Sequence, residues 1–233
     1  MTTYVLVHGA WHNGQAWHRV TPLLTTAGHR VLAPTLTGHG DQFDPRAGLE
    51  TYVADVVRLL VEEDLTDVVL VGHSYAGLVI SSVANDVPER ISHLIYLDAM
   101  VPVHGETALD VMPITRVLVD SAAQSGTPDR VPPLPELPAP HGLFGVTDPD
   151  DIAWLRSTLV DEPIRAYEQP VRLDNPAAAG IARTHIHCVG FEPDGITRRP
   201  VDDPRAQVWE LRSGHDCMLT VPADLAALLL KVA

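Results

Sequence analysis

Hydrophobic and polar positions along the chain follow two alternating rhythms. Short apolar runs, Tyr4-Val5-Leu6-Val7, Arg30-Val31-Leu32-Ala33, Val68-Val69-Leu70-Val71 and Ile91 to Tyr96, read as buried strands. Between them apolar residues recur at helical spacing. Trp17, Val20, Leu23, Leu24 and Ala27 predict a first helix that stops at Gly28, with Pro22 delaying or kinking its start. Leu49, Tyr52, Val53, Val56, Val57 and Leu60 form the clearest amphipathic stripe, and Ala76, Val79, Ile80, Val83, Ala84 and Val87 a third helix that ends near Pro88. This β-α-β-α-β-α-β order predicts an α/β fold, a mostly parallel sheet covered by helices on both faces.

The rhythm breaks from about Val101 to Leu173. Prolines crowd at 128, 132, 133, 135, 138 and 140, and helical pieces over Asp110 to Ala123 and Asp148 to Leu159 have no strand pattern between them. Phe144, Trp154, Leu155, Leu159 and Tyr167 supply apolar residues for a core of their own. The segment therefore reads as a helical cap, about 101–173, inserted into a single domain that spans 1–233. The α/β pattern resumes with strands over His185 to Val189 and Gln207 to Leu211, and an apolar final helix over Ala223 to Val232.

Composition narrows the partners. With 233 residues, 45% hydrophobic and 20% charged, the chain can bury a full core as one domain. Sixteen basic residues against thirty acidic give a net charge of −14, so nucleic acid and anionic membrane surfaces are poor partners. No apolar run approaches the roughly 20 residues of a membrane span. The N-terminus passes from Met1-Thr2-Thr3 straight into a strand pattern, and Cys188 and Cys217 do not make a disulfide framework. The expectation is a cytoplasmic protein with reduced thiols, with a homodimer left open.

The candidate chemistry centres on Gly72-His73-Ser74-Tyr75-Ala76-Gly77. A bare G-x-S-x-G arises by chance in about one chain in ten of this length, so its context decides. Here the motif follows a buried strand and opens a helix, the setting that presents a strained, exposed serine at a helix N-terminus. Glycine is needed at 72 and 77, because a Cβ there would collide with the returning chain. A serine nucleophile needs a base, a carboxylate to orient that base, and two N–H donors for the oxyanion. His215, in Ser213-Gly214-His215-Asp216 after the last strand, is the candidate base.

With these pieces the chain resembles the α/β-hydrolase superfamily, and within it the branch of small esterases related to plant methyl esterases and hydroxynitrile lyases. The residues that carry the resemblance are His8-Gly9-Ala10-Trp11 with Trp17, the Ser74 motif, Tyr96-Leu97-Asp98-Ala99 with Val101-Pro102, and Gly214-His215-Asp216. The resemblance implies an oxyanion hole from the backbone N–H groups of Ala10 and Tyr75. It leaves the acid open: most members place it where this chain has Glu192, with Asp194 nearby, whereas some place it at the position of Asp98, the favoured reading. Family lyases that release cyanide carry threonine where this chain has Gly9 and lysine where it has Asp216, so hydrolysis is favoured over cyanide release.

The implied activity is hydrolysis of a carboxylic ester of a small to medium, moderately hydrophobic substrate through an acyl-enzyme. Two alternatives stay open: a cofactor-free lyase or cyclase acting on a polyketide-like or aromatic substrate, and a receptor-like protein that binds ligand with little turnover. His185-x-His187 with Cys188 lies in a strand whose successive side chains face opposite ways, which argues against a metal site. No phosphate loop or dinucleotide fingerprint appears, so no cofactor is implied. His73 reads as filling beside the elbow, and His12, His18 and His39 either line the mouth of the site or are exposed.

Overall fold

The computed structural model describes residues 1–190 and 199–233. The four early apolar runs form β1 (Thr3–Val7), β2 (Arg30–Leu32), β3 (Val68–His73) and β4 (Ile91–Leu97), and the late pair forms β7 (Ala182–Val189) and β8 (Gln207–Arg212). Among the described residues these make a six-stranded, fully parallel sheet in the order β2-β1-β3-β4-β7-β8. The order reverses at β1, where the chain first runs outward to β2 and then returns to β3. Loops beyond the carboxyl ends of β1 and β3 thus flank a crevice, the place where open α/β sheets bind ligands.

The central strands β1, β3 and β4 are largely apolar on both faces because each face meets its own core. Val5, Val7, Val68, Leu70, Leu94 and Tyr96 pack on one side with α2 (Leu49–Glu62) and α3 (Ala76–Asp86). Tyr4, Leu6, Val69, Val71, Ile95 and Leu97 pack on the other with α1 (Thr21–Thr26) and α9 (Pro222–Leu229). Burying a side chain such as Leu70 or Ile80 in this way contributes about 1.5–3 kcal/mol.

The first helix is shorter than its apolar stripe predicts. Pro22 occupies its first turn, so α1 starts at Thr21, while Trp17 closes a separate 3-10 turn and Leu23 is exposed. Between β4 and β7 lies the insertion. Pro113 splits the helical stretch expected over Asp110 to Ala123 into α4 (Ala108–Val111), which carries a Thr107/Asp110 capping box, and α5 (Thr115–Gln124). The expectation of no strand between the two helical pieces needs correction: β5 (Arg130–Val131) lies there and pairs antiparallel with β6 (Glu162–Pro163), which follows α6 (Pro149–Thr158). Two residues flanked by proline are too short to leave a strand pattern. The short helices α7 (Ile164–Glu168) and α8 (Cys217–Thr220) went unread for the same reason.

Candidate active site

The elbow between β3 and α3 holds Ser74 at φ 56°, a left-handed conformation seldom adopted outside glycine. Hydrogen bonds on both sides fix it there. Ser74 N–H donates to the Leu97 carbonyl (3.2 Å), and the Ser74 carbonyl accepts from the N–H groups of Gly77 (3.2 Å) and Met100 (2.9 Å). The flanking glycines are sterically required. A Cβ on Gly72 would stand 2.7 Å from the Ala76 carbonyl oxygen, and one on Gly77 would strike the carbonyl oxygen of Met100. The elbow is thereby bonded to the end of β4, which carries Asp98.

Asp98 is also left-handed (φ 44°), and its N–H donates to the Ile186 carbonyl on β7 (2.7 Å). One carboxylate oxygen accepts from the Cys188 N–H (3.2 Å); the other accepts from His215 Nδ1–H at 2.7 Å. That bond leaves the lone pair of His215 on Nε2, the tautomer a general base requires. Burial disfavours the charged imidazole, but the bond and charge of Asp98 outweigh it and hold His215 above its ordinary value. Structure therefore brings Asp98 and His215 together; Glu192 and Asp194 lie outside the described residues.

Beneath His215 the elbow histidine, His73, is fully buried. Its ring packs 4.5 Å from the His215 ring, and its Nε2–H donates to the His215 carbonyl (3.0 Å). Burial and the neighbouring His215 push it down to about 3, so it is neutral and serves as a shelf. From the insertion, Phe144 reaches His215, with ring centres 6.4 Å apart, and the Phe144 carbonyl accepts from the Asp216 N–H (2.9 Å).

The loop after β1 presents Ala10. Gly9 is needed here, since a Cβ would lie 2.8 Å from Ser74 Cβ. The Gly9 carbonyl accepts from His8 Nδ1–H (2.9 Å) and from the His12 N–H (3.3 Å). Because the peptide is planar and trans, pinning that carbonyl directs the Ala10 N–H to the opposite edge. His8 Nε2 accepts from the Leu36 N–H (3.1 Å), so His8 is neutral, in keeping with the downward push of burial and of His39. The second expected donor, the Tyr75 N–H, lies at the start of α3, and the Tyr75 hydroxyl donates to the Ala166 carbonyl of the insertion (2.6 Å).

Two buried histidine–carboxyl pairs went unread in the sequence. His12 and His39 were expected at the mouth or exposed, yet both are buried, and only His18 is exposed. His12 donates from Nδ1 to the Ala10 carbonyl (2.8 Å) and from Nε2 to Asp216 (2.9 Å). Two donor bonds require two protons, so His12 is an imidazolium; Asp216 raises it against the cost of burial, and His12 in turn holds Asp216 below its ordinary value although burial opposes this. His39 donates from Nε2 to Glu162 (2.8 Å). Spacing could not have found either pair, since its members lie more than a hundred residues apart. In the His185-x-His187 stretch, His185 stacks on Tyr96 with ring centres 4.8 Å apart, and Cys188 turns into the opposite core. Among the described residues no group of His, Cys, Asp or Glu is arranged to hold a metal ion.

Comparison with known proteins agrees with this architecture. The chain belongs to the Alpha/beta hydrolase family, whose pattern it matches over residues 4–228. It is 36% identical to a carbendazim hydrolyzing esterase of Nocardioides sp. (strain SG-4G), covering 97% of each chain, and 28% identical to salicylic acid-binding protein 2 of Nicotiana tabacum, covering 99% and 96%. Among solved structures, an extracellular alpha/beta-hydrolase from a Paenibacillus species superposes with a TM-score of 0.78 at 22% identity, covering 99% of this chain and 98% of the other. Among the described residues no helix is long and apolar enough to cross a membrane.

Proposed function

We propose that Ser74, His215 and Asp98 hydrolyse a carboxylic ester by two-step acyl transfer. The reaction class, ester hydrolysis, follows from the family and its esterase relatives. Ser74 attacks the ester carbonyl while His215 Nε2 takes its proton, and the N–H groups of Ala10 and Tyr75 hold the oxyanion. His215 then protonates the leaving alcohol and activates the water that releases the acid. Asp98 holds the imidazole tautomer and stabilises the imidazolium as it forms.

The observation that carries the assignment is the 2.7 Å bond from His215 Nδ1 to Asp98, on a strand end hydrogen-bonded to the serine elbow. The insertion acts as a cap: Phe144, whose ring centre lies 5.8 Å from that of Trp11, places aromatic surface beside His215, which suits a small to medium, moderately hydrophobic ester. Cyanide release is disfavoured by the two positions singled out in the sequence. Gly9 has no room for a side chain against Ser74, and Asp216 is engaged by His12. A cytoplasmic site of action fits two buried cysteines, Cys188 and Cys217, that are not joined in a disulfide.

Steady-state hydrolysis of p-nitrophenyl acetate and of methyl esters of aromatic acids tests the reading. Wild type should turn over at least one of these, and Ser74→Ala should lower kcat by about a thousandfold or more with KM little changed. Equal turnover by Ser74→Ala would refute it.

A further inference from the structure

Glu162 lies on β6 of the insertion and is fully buried. A carboxylate withdrawn from water is unfavourable unless its lone pairs are met by donors. Three separate parts of the α/β core meet this one. The Trp11 N–H donates to Oε2 at 3.0 Å, His39 Nε2–H donates to Oε2 at 2.8 Å, and the Tyr52 hydroxyl donates to Oε1 at 2.9 Å.

Trp11 follows the oxyanion residue Ala10, and each of its polar groups is bonded to the insertion. Besides the N–H on Glu162, its carbonyl accepts from the Val160 N–H (2.8 Å), and its indole N–H donates to the Val131 carbonyl (3.0 Å). Its φ of 64° is left-handed, a conformation that a bulky residue holds only when its surroundings over-determine it. The Ala10–Trp11 peptide is thus gripped at both edges, its N–H by Glu162 and its carbonyl by His12 Nδ1–H. The Ala10–Trp11 peptide joins the donor's own peptide, Gly9–Ala10, at the Ala10 Cα, so holding it fixes one flank of the donor while the bonds to the Gly9 carbonyl fix the other.

We propose that Glu162 is a positioning residue for the oxyanion hole. Through it, docking of the insertion and alignment of the Ala10 N–H are a single event. The inference rests on the acyl-transfer reading of the site. Its signature is a loss of transition-state stabilisation with substrate binding kept, since Glu162 touches the loop behind the donor and not the substrate.

The test compares wild type, Glu162→Met and Glu162→Gln in the full chain with p-nitrophenyl acetate. Methionine matches the length of glutamate but offers no comparable acceptor, so kcat should fall about 30- to 100-fold with KM within about twofold. Glutamine can accept from Trp11 and His39 through its oxygen and donate to Tyr52 through its nitrogen, and should stay within about fivefold of wild type. Affinity of active sites for a trifluoromethyl ketone, which forms an oxyanion on Ser74, should fall in Glu162→Met by the same factor as kcat. Wild-type kcat and inhibitor affinity in folded Glu162→Met would overturn the proposal.

Should Glu162→Met fail to fold, hydrogen exchange on wild type decides. Phosphonylation of Ser74 should slow exchange together in peptides covering residues 10–12 and 160–163; slowing at 10–12 with 160–163 unchanged would overturn the coupling. A wild type that neither hydrolyses esters nor takes the phosphonate would remove the acyl-transfer reading itself, a result distinct from an active wild type matched by Glu162→Met.

Discussion

The protonation states of individual residues follow from hydrogen bonds that admit one assignment. His215 must be neutral to act as a base, and Asp98 lifts it above the ordinary histidine value despite burial. The rate should therefore rise with pH through a midpoint above about 6.5, and Asp98→Asn should both move that midpoint down and lower kcat by about 10^3- to 10^4-fold. A pH profile of kcat/KM checks this, and a wild-type midpoint below that of Asp98→Asn would contradict it. His12 and Asp216 form a buried ion pair of another kind, beside the site. The raised His12 contributes stability that is complete below about 6.5 and is lost as pH rises through its higher folded value. The depressed Asp216 contributes stability that is present above about 4 and is lost as pH falls through its lower folded value. Between those limits Asp216→Asn strands a buried imidazolium and should cost about 3–5 kcal/mol in urea unfolding at pH 6. A cost under about 1 kcal/mol would mean that His12 is neutral in the fold.

At the scale of elements, the site is assembled where short segments turn sharply after strands. Ser74 and Asp98 are both left-handed, and each is the first residue beyond its strand. The elbow works because α3 can start directly under Met100, and Gly77→Ala should cost roughly 1–3 kcal/mol by pushing the helix off that carbonyl. Thermal melting with parallel ester assays checks this; unchanged melting and activity would show that α3 can move off that carbonyl without cost. Elements with a sustained period were legible beforehand. The stripe from Leu49 to Leu60 gave α2, whose helix spans Leu49–Glu62, and four apolar residues before Gly72 gave β3. What escaped notice were pieces of two to five residues, β5, β6, α7 and α8, which are too short to show a period. Their geometry is set by packing on the rest of the molecule.

Across the whole molecule, one sheet order places the β1 loop, the serine elbow, the end of β4 and the loop after β8 around a single crevice. The proposed nucleophile and base stand out in the sequence because each follows an apolar run at a glycine. Asp98 was legible as one of several carboxylates, since a sequence cannot say which strand end faces His215. Glu162 left no signal, because its three partners, Trp11, Tyr52 and His39, are more than a hundred residues away and its own neighbours form no motif. Buried polar pairs of this kind are properties of the assembled fold, and they tie the insertion to the chemistry beneath it.

The central claim is that a serine activated by the Asp98–His215 pair lies at the sheet's carboxyl edge. Intact-mass labelling with a serine-reactive fluorophosphonate tests it most directly, on wild type, Ser74→Ala, Asp98→Asn and Glu192→Gln. The account predicts one adduct on wild type, none on Ser74→Ala, slow labelling of Asp98→Asn, and a wild-type rate for Glu192→Gln. An adduct that persists in Ser74→Ala, or slow labelling of Glu192→Gln with Asp98→Asn at the wild-type rate, would contradict it.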